Sequence, residues 1–120
     1  MKIIKGNEVK LDHSNTNFFT GDVMRGPLLS VGDSKDFVMG VVNFSKGVRN
    51  KFHTHSSEQI LIITDGEGIV ATENEEWKVS RGDIVCIPSE LKHWHGASNE
   101  SNFSHIAIVY AEATTTQVED

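Results

Sequence analysis

One cysteine, two prolines, one tyrosine and no long apolar run: this 120-residue sequence is marked first by what it leaves out. A single cysteine, Cys86, excludes an intrachain disulfide framework and fits a reducing compartment. Within the apolar stretch "DIVCIP" it reads as a small buried hydrophobe rather than a nucleophile. No segment approaches the roughly 18 apolar residues of a membrane helix. The opening "MKIIKGNEV" carries charge without an apolar run of signal-peptide length. A cytoplasmic protein with no membrane partner is therefore expected. Basic residues are also scarce: 11 Lys and Arg against 17 Asp and Glu give a formal net charge of −6. That balance, with no Lys/Arg-rich run, argues against nucleic acid and against an anionic lipid surface. Sustained periodicity near 3.6 is missing as well, so no helix is expected.

What remains is β texture. Runs rich in Val, Ile, Phe and Thr alternate with clusters of Gly, Asn, Asp and Ser. They give candidate strands at 37–44, 59–64, 68–74, 76–80, 83–88 and 104–111. "TDGEG", "TENEE" and "SRGD" read as tight turns between them. Pro27 and Pro88 fall where a strand should start or stop. Spacing near ten residues suggests an all-β sandwich or barrel in one domain, residues 1–112. The polar, acidic tail 113–120, "ATTTQVED", is expected to fray.

Six histidines occur, and five of them lie between residues 53 and 105. His13, in polar "LDHSN", reads as a surface residue. The others are ordered by parity, because residues two apart on a strand share a face. His53, His55 and Gln59 fall on one face with Leu61 and Ile63. His93 and His95 share another, with Trp94 opposite, and His105 goes with Ala107 and Val109. A small closed barrel has one interior, so inward-facing strands would bring these side chains together. Several neutral imidazoles meeting in one cavity suit a divalent first-row metal ion, and without one their ring nitrogens would need other partners. A lone His-x-His would more often be a solvated loop. The second histidine strand, about forty residues on, gives the pair its weight.

The residues around these histidines resemble the two cupin motifs. "GVRNKFHTHSSEQILIITDG" (47–66) has a glycine, five residues, His-x-His, then an acid or amide and a closing glycine. "GDIVCIPSELKHWHGA" (82–97) has a glycine, five residues, a proline and the third histidine. The resemblance implies a single-domain jelly-roll barrel, the double-stranded β-helix. "FFTGDV", "KHWHGA" and "SHIAIVYAE" are similar to a subgroup of short bacterial cupins. It includes manganese-dependent hydroxynitrile lyases and cupins related to carboxymuconolactone decarboxylases. Carried over residue by residue, the resemblance implies metal ligands His53, His55, Gln59 and His93, with His95 and His105 beside them. The metal would be one divalent transition ion per chain, with manganese favoured and iron, nickel or zinc as alternatives. Glu58 competes with Gln59 as the fourth ligand, but parity and motif spacing both favour Gln59. Asn50 stands where lyase-active relatives tend to have Thr, and Lys51-Phe52 where they have Ala-Trp. Ser89-Glu90 replaces the usual proline and glycine.

Three neutral histidines and a neutral amide would leave the ion's charge uncompensated, which favours an anionic or deprotonated oxygen. That inclines the expected activity towards a metal-dependent lyase working by acid/base catalysis on a small oxygenated substrate. His105 and His95 are the candidate catalytic residues. The alternatives are an Fe(II) dioxygenase with the same ligands and a non-catalytic small-molecule-binding barrel. Cupins of this size usually form homodimers, and the resemblance implies the same here.

Overall fold

The computed structural model describes residues 1–14 and 16–120. After one turn of 3-10 helix (Gly6–Glu8) come ten strands: β1 (Asp12–His13), β2 (Val23–Leu29), β3 (Phe37–Phe44), β4 (His53–His55), β5 (Gln59–Ala71), β6 (Glu76–Ser80), β7 (Ile84–Ile87), β8 (Trp94–Ala97), β9 (Phe103–Tyr110) and β10 (Thr115–Gln117). The main sheet runs β1-β2-β3-β9-β5-β6, with β7 and β8 also paired to β5, while β10 pairs with β4. This is the jelly-roll barrel, all-β, with its core between the two sheets.

Strand β5 links the sheets. Its first half, Gln59–Ile62, lies between β7 and β9; its second half, Glu67–Ala71, pairs with β6, and within it Gly68–Ala71 also pairs with β8. The "TDGEG" segment, expected to be a turn, is therefore the corner of one continuous strand. Its flanks cannot pair with each other because each already has other partners. The ladder to β9 shifts register between Ile63 and Asp65, and Gly66 takes φ +73 against the Asn102 carbonyl, where a Cβ would collide. Pro27 likewise sits inside β2, at a register shift and past the two residues that pair with β1, where no neighbour needs its missing N–H.

Alternation sets the interior. Across β2, β3 and β9, Val23–Phe44–Phe103 form the deepest row. Next comes Arg25–Val42–His105, which Ile63 of β5 extends, then Pro27–Gly40–Ala107 extended by Leu61. The first row is core: Val23, Phe44 and Phe103 are almost wholly buried. Burying large aromatics this way contributes on the order of 2–3 kcal/mol each. Towards the mouth, Gly40 and Ala107 are too small to fill the barrel, and a cavity of about 620 Å³ opens there.

Two further expectations fail. Cys86 is exposed, because the "DIVCIP" run alternates: Val85 and Ile87 pack inwards while Ile84 and Cys86 face out. The tail does not fray. Thr115, Thr116 and Gln117 pair with His55, Thr54 and His53, and beyond them Glu119 makes a two-pronged ion pair with Arg49 and accepts the Phe52 N–H. Tail polarity did not matter, because β4 offered an unpaired edge.

Candidate metal centre

His53 and His55 stand on β4, and His93 lies just before β8, where its backbone exchanges hydrogen bonds of 3.0 and 3.1 Å with His53. That bridge aims both imidazoles at one point. The turn that delivers His93 passes through Glu90 at φ +67, where the Glu90 N–H donates to the His55 carbonyl at 2.8 Å. One ring nitrogen from each of His53, His55 and His93 lies within 4.8 Å of the others. All three side chains are buried, so the site can hold a metal ion.

The other ring nitrogens are already taken. Nδ1 of His53 lies 2.7 Å from the Lys51 carbonyl, and Nδ1 of His93 lies 2.8 Å from the Leu91 carbonyl. A carbonyl only accepts, so each Nδ1 carries the proton and each Nε2 presents its lone pair inwards. His55 Nδ1 lies 2.9 Å from the Thr115 hydroxyl, which can accept its proton as the carbonyls do. Nε2 of His55, Nε2 of His93 and Oε1 of Gln59 are buried with no hydrogen-bond partner. Buried polar atoms are rarely left unpaired, and three acceptors orphaned together fit a cation. Gln59 is buried and Glu58 is exposed on the outer side near Cys86.

Burial keeps these imidazoles neutral. Desolvation, then the charge His93 would carry, push His53 down to about 3 and His55 to about 4. Burial also lowers His93, and it lowers His105 to about 4. His95 is lowered well below its ordinary value by burial and then by the neighbouring His105. Neutral imidazoles are what a metal ion requires of its ligands.

Deeper in the barrel, His105 Nε2 lies 3.0 Å from His95 Nδ1, and His105 Nδ1 has no partner. Asn50 completes this cluster: its Oδ1 accepts the His95 N–H at 2.8 Å, and its Nδ2 lies 3.3 Å from the His95 ring nitrogens. Asn50 and Lys51 are neighbours in the sequence. The structure separates them, with Asn50 buried and Lys51 reaching outwards to Asn17. Trp94 faces away from the histidines and lies under the Arg49 guanidinium, 4.7 Å from its ring centre. Sequence reasoning named Asn50 without its contact to His95, and missed Thr115 and the wall made by Phe18, whose ring is 4.8 Å from that of His53. Only Thr115 left a signal, the β-branched run "TTT".

The cupin domain family matches residues 40–109. The (R)-mandelonitrile lyase of Granulicella tundricola is 37% identical over 95 residues, covering 77% of this chain and 71% of that protein. The acireductone dioxygenase of Leptospira biflexa is 37% identical over 49 residues, covering 38% of this chain and 28% of that protein. Among solved structures, a cupin-like protein of Thermotoga maritima superposes with a TM-score of 0.85 at 28% identity, covering 90% of this chain and 84% of that one.

Proposed function

The chain belongs to the cupin family, and from that premise we propose that it is a metal-dependent lyase, similar in reaction to a hydroxynitrile lyase. The observation that carries the reading is the set of buried, unpaired acceptors on His55, His93 and Gln59. With His53 they would hold one divalent transition ion, manganese in the first instance, with iron, nickel or zinc as alternatives. When bound, such an ion supplies Lewis acidity that lowers the pKa of a substrate hydroxyl. The mandelonitrile lyase relative supports the choice of chemistry.

His105 Nδ1 is the proton acceptor in this reading. It requires the tautomer in which His105 Nε2–H donates to His95 Nδ1, 3.0 Å away, leaving Nδ1 with the free lone pair and stabilising the imidazolium when it forms. For a cyanohydrin, the hydroxyl proton passes to His105, the carbon–carbon bond breaks, and its electron pair leaves with cyanide. The proton returned to cyanide closes the balance. Asn50 holds His95 in place, and Phe18, Phe19 and Phe44 give the cavity an apolar wall. A second reading, an Fe(II) dioxygenase, has the partial match to acireductone dioxygenase in its favour. Oxygen uptake during turnover separates the two.

The test combines metal content and turnover. Protein purified without chelator or histidine tag should carry near one equivalent of metal by plasma mass spectrometry, lost in His93→Ala. It should release benzaldehyde from mandelonitrile. His105→Ala should keep the metal and lose turnover. Metal lost together with activity in His105→Ala would mean that its role is misassigned.

Self-association belongs to the same proposal. The outer face of β3, β9, β5 and β7 carries Met39, Val41, Ile108, Ile106, Ile60 and Ile84 side by side, none of them buried. A continuous apolar sheet face of this kind suits a second copy of the chain. Among the described residues, no helix is long and apolar enough to cross a membrane. The single cysteine and the metal-site thiol-free ligands fit a cytoplasmic setting.

A further inference from the structure

Resting on the reading of the barrel interior as a metal-dependent active site, we propose that the cavity also takes an anion: a small 2-hydroxy or 2-oxo carboxylic acid whose carboxylate is received by Arg25. Arg25 belongs to the same inward row as His105, with Val42 between them, and it lines the cavity. Two strand spacings separate the Cα atoms of Arg25 and His105, about 10 Å. A compact acid can therefore reach the histidines with its oxygen function and Arg25 with its carboxylate.

Arg25 is exposed at the cavity rim and, although Asp12 stands opposite it on β1, forms no ion pair among the described residues. The ion pairs among the described residues use Lys2, His13, Arg49 and Lys92. The residues lining the cavity include no Asp or Glu, and Arg25 is the one permanently charged side chain among them. This is a local exception in a chain of net charge −6. The guanidinium carbon lies 5.3 Å from the centre of the Phe19 ring, a cation–π contact with the cavity wall. A guanidinium presents paired N–H donors that match a planar, two-pronged acceptor, the geometry of a carboxylate. Phe18, Phe19 and Phe44 stack edge to face beside it, an apolar wall for the hydrocarbon part of the acid. A fixed cation at the rim, with no acid among the described lining residues, favours an anionic ligand over a neutral one of the same skeleton.

Mandelate and mandelamide share one skeleton and differ in charge, so calorimetric titration of both into the purified protein reads the preference directly. Mandelate should bind at least about tenfold more tightly than mandelamide, the scale of one charge-assisted hydrogen bond. Arg25→Gln should erase that difference while leaving mandelamide affinity unchanged, and Arg25→Lys should keep part of it. Circular dichroism establishes that both variants are folded. Equal binding of the two ligands, a mandelate preference that survives Arg25→Gln, or no binding of either at millimolar concentration would each overturn the proposal. Metal content measured on the same samples separates it from the reading beneath it. One equivalent of metal with an unchanged preference in Arg25→Gln removes the role of Arg25 and leaves the metal site standing. A metal-free native protein whose preference Arg25→Gln still erases keeps the anion site and removes the metal.

Discussion

Stripped of metal by a chelator, the protein should lose most of its stability between pH 6.5 and pH 5, well above the range where carboxylates titrate. The sign follows from the buried histidines. In the folded chain His53 is held at about 3, and His55 and His105 at about 4, so all three are neutral there. In the unfolded chain each titrates near 6.5. Stability is therefore intact above about 6.5 and falls as the unfolded state gains protons that the folded state refuses. Between pH 7 and pH 5 each of the three costs about 2 kcal/mol, and together about 6 kcal/mol, with a slope of up to roughly 4 kcal/mol per pH unit. Domains of this size are stable by about 5–15 kcal/mol, so the loss is a large part of the whole. His93 and His95 are lowered too and act in the same direction. Urea unfolding followed by tryptophan fluorescence at pH 7, 6 and 5 measures it. Glu119, held below its ordinary value by Arg49 and then by the Phe52 N–H, loses its contribution only at lower pH and does not confuse the window. Stability at pH 5 within about 1 kcal/mol of that at pH 7 would refute the argument, since it would require histidines that protonate freely in the folded chain.

Thr115→Val removes the hydroxyl that orients His55 and should weaken metal binding by about 10- to 100-fold without unfolding the barrel, measured by competition with a colorimetric chelator. Unchanged affinity would show that β10 is dispensable to the site. Glu90→Gly should stabilise the protein by about 1 kcal/mol, because Glu90 occupies left-handed backbone at φ +67 that glycine adopts freely. A thermal midpoint that stays level or falls would mean that the glutamate side chain contributes more than its strain costs. Ile108→Asp, in the middle of the apolar outer face, should convert a two-chain species to single chains in light scattering. A native protein already monomeric would end the self-association proposal.

Parity explains what the sequence made legible. The bounds of β3 and β6 follow from β-rich runs flanked by turn residues, and the burial of His53, His55, Gln59, Leu61 and Ile63, all of one parity, is the two-residue rule seen in structure. The rule also held in "DIVCIP", where reading the run as uniformly buried put Cys86 on the wrong side. Local turn chemistry misled at Asp65-Gly66, because what decides between a hairpin and a corner is which strands claim the flanks, and those lie up to forty residues away. The same non-locality hid Thr115 and Arg25. Each matters through the strand it pairs beside, and nothing in its own neighbourhood of the chain announces that partner.

The corner in β5 also settles where this barrel can breathe. A strand that is hydrogen-bonded into both sheets cannot be released from one without straining the other, so its amides should exchange with solvent only on global unfolding. The short pairings are elsewhere: two residues in β1 and three between β4 and β10. Opening fluctuations are thereby confined to these short pairings, while the seam that carries Gln59 stays shut. Motion and rigidity are assigned to different parts of one closed surface.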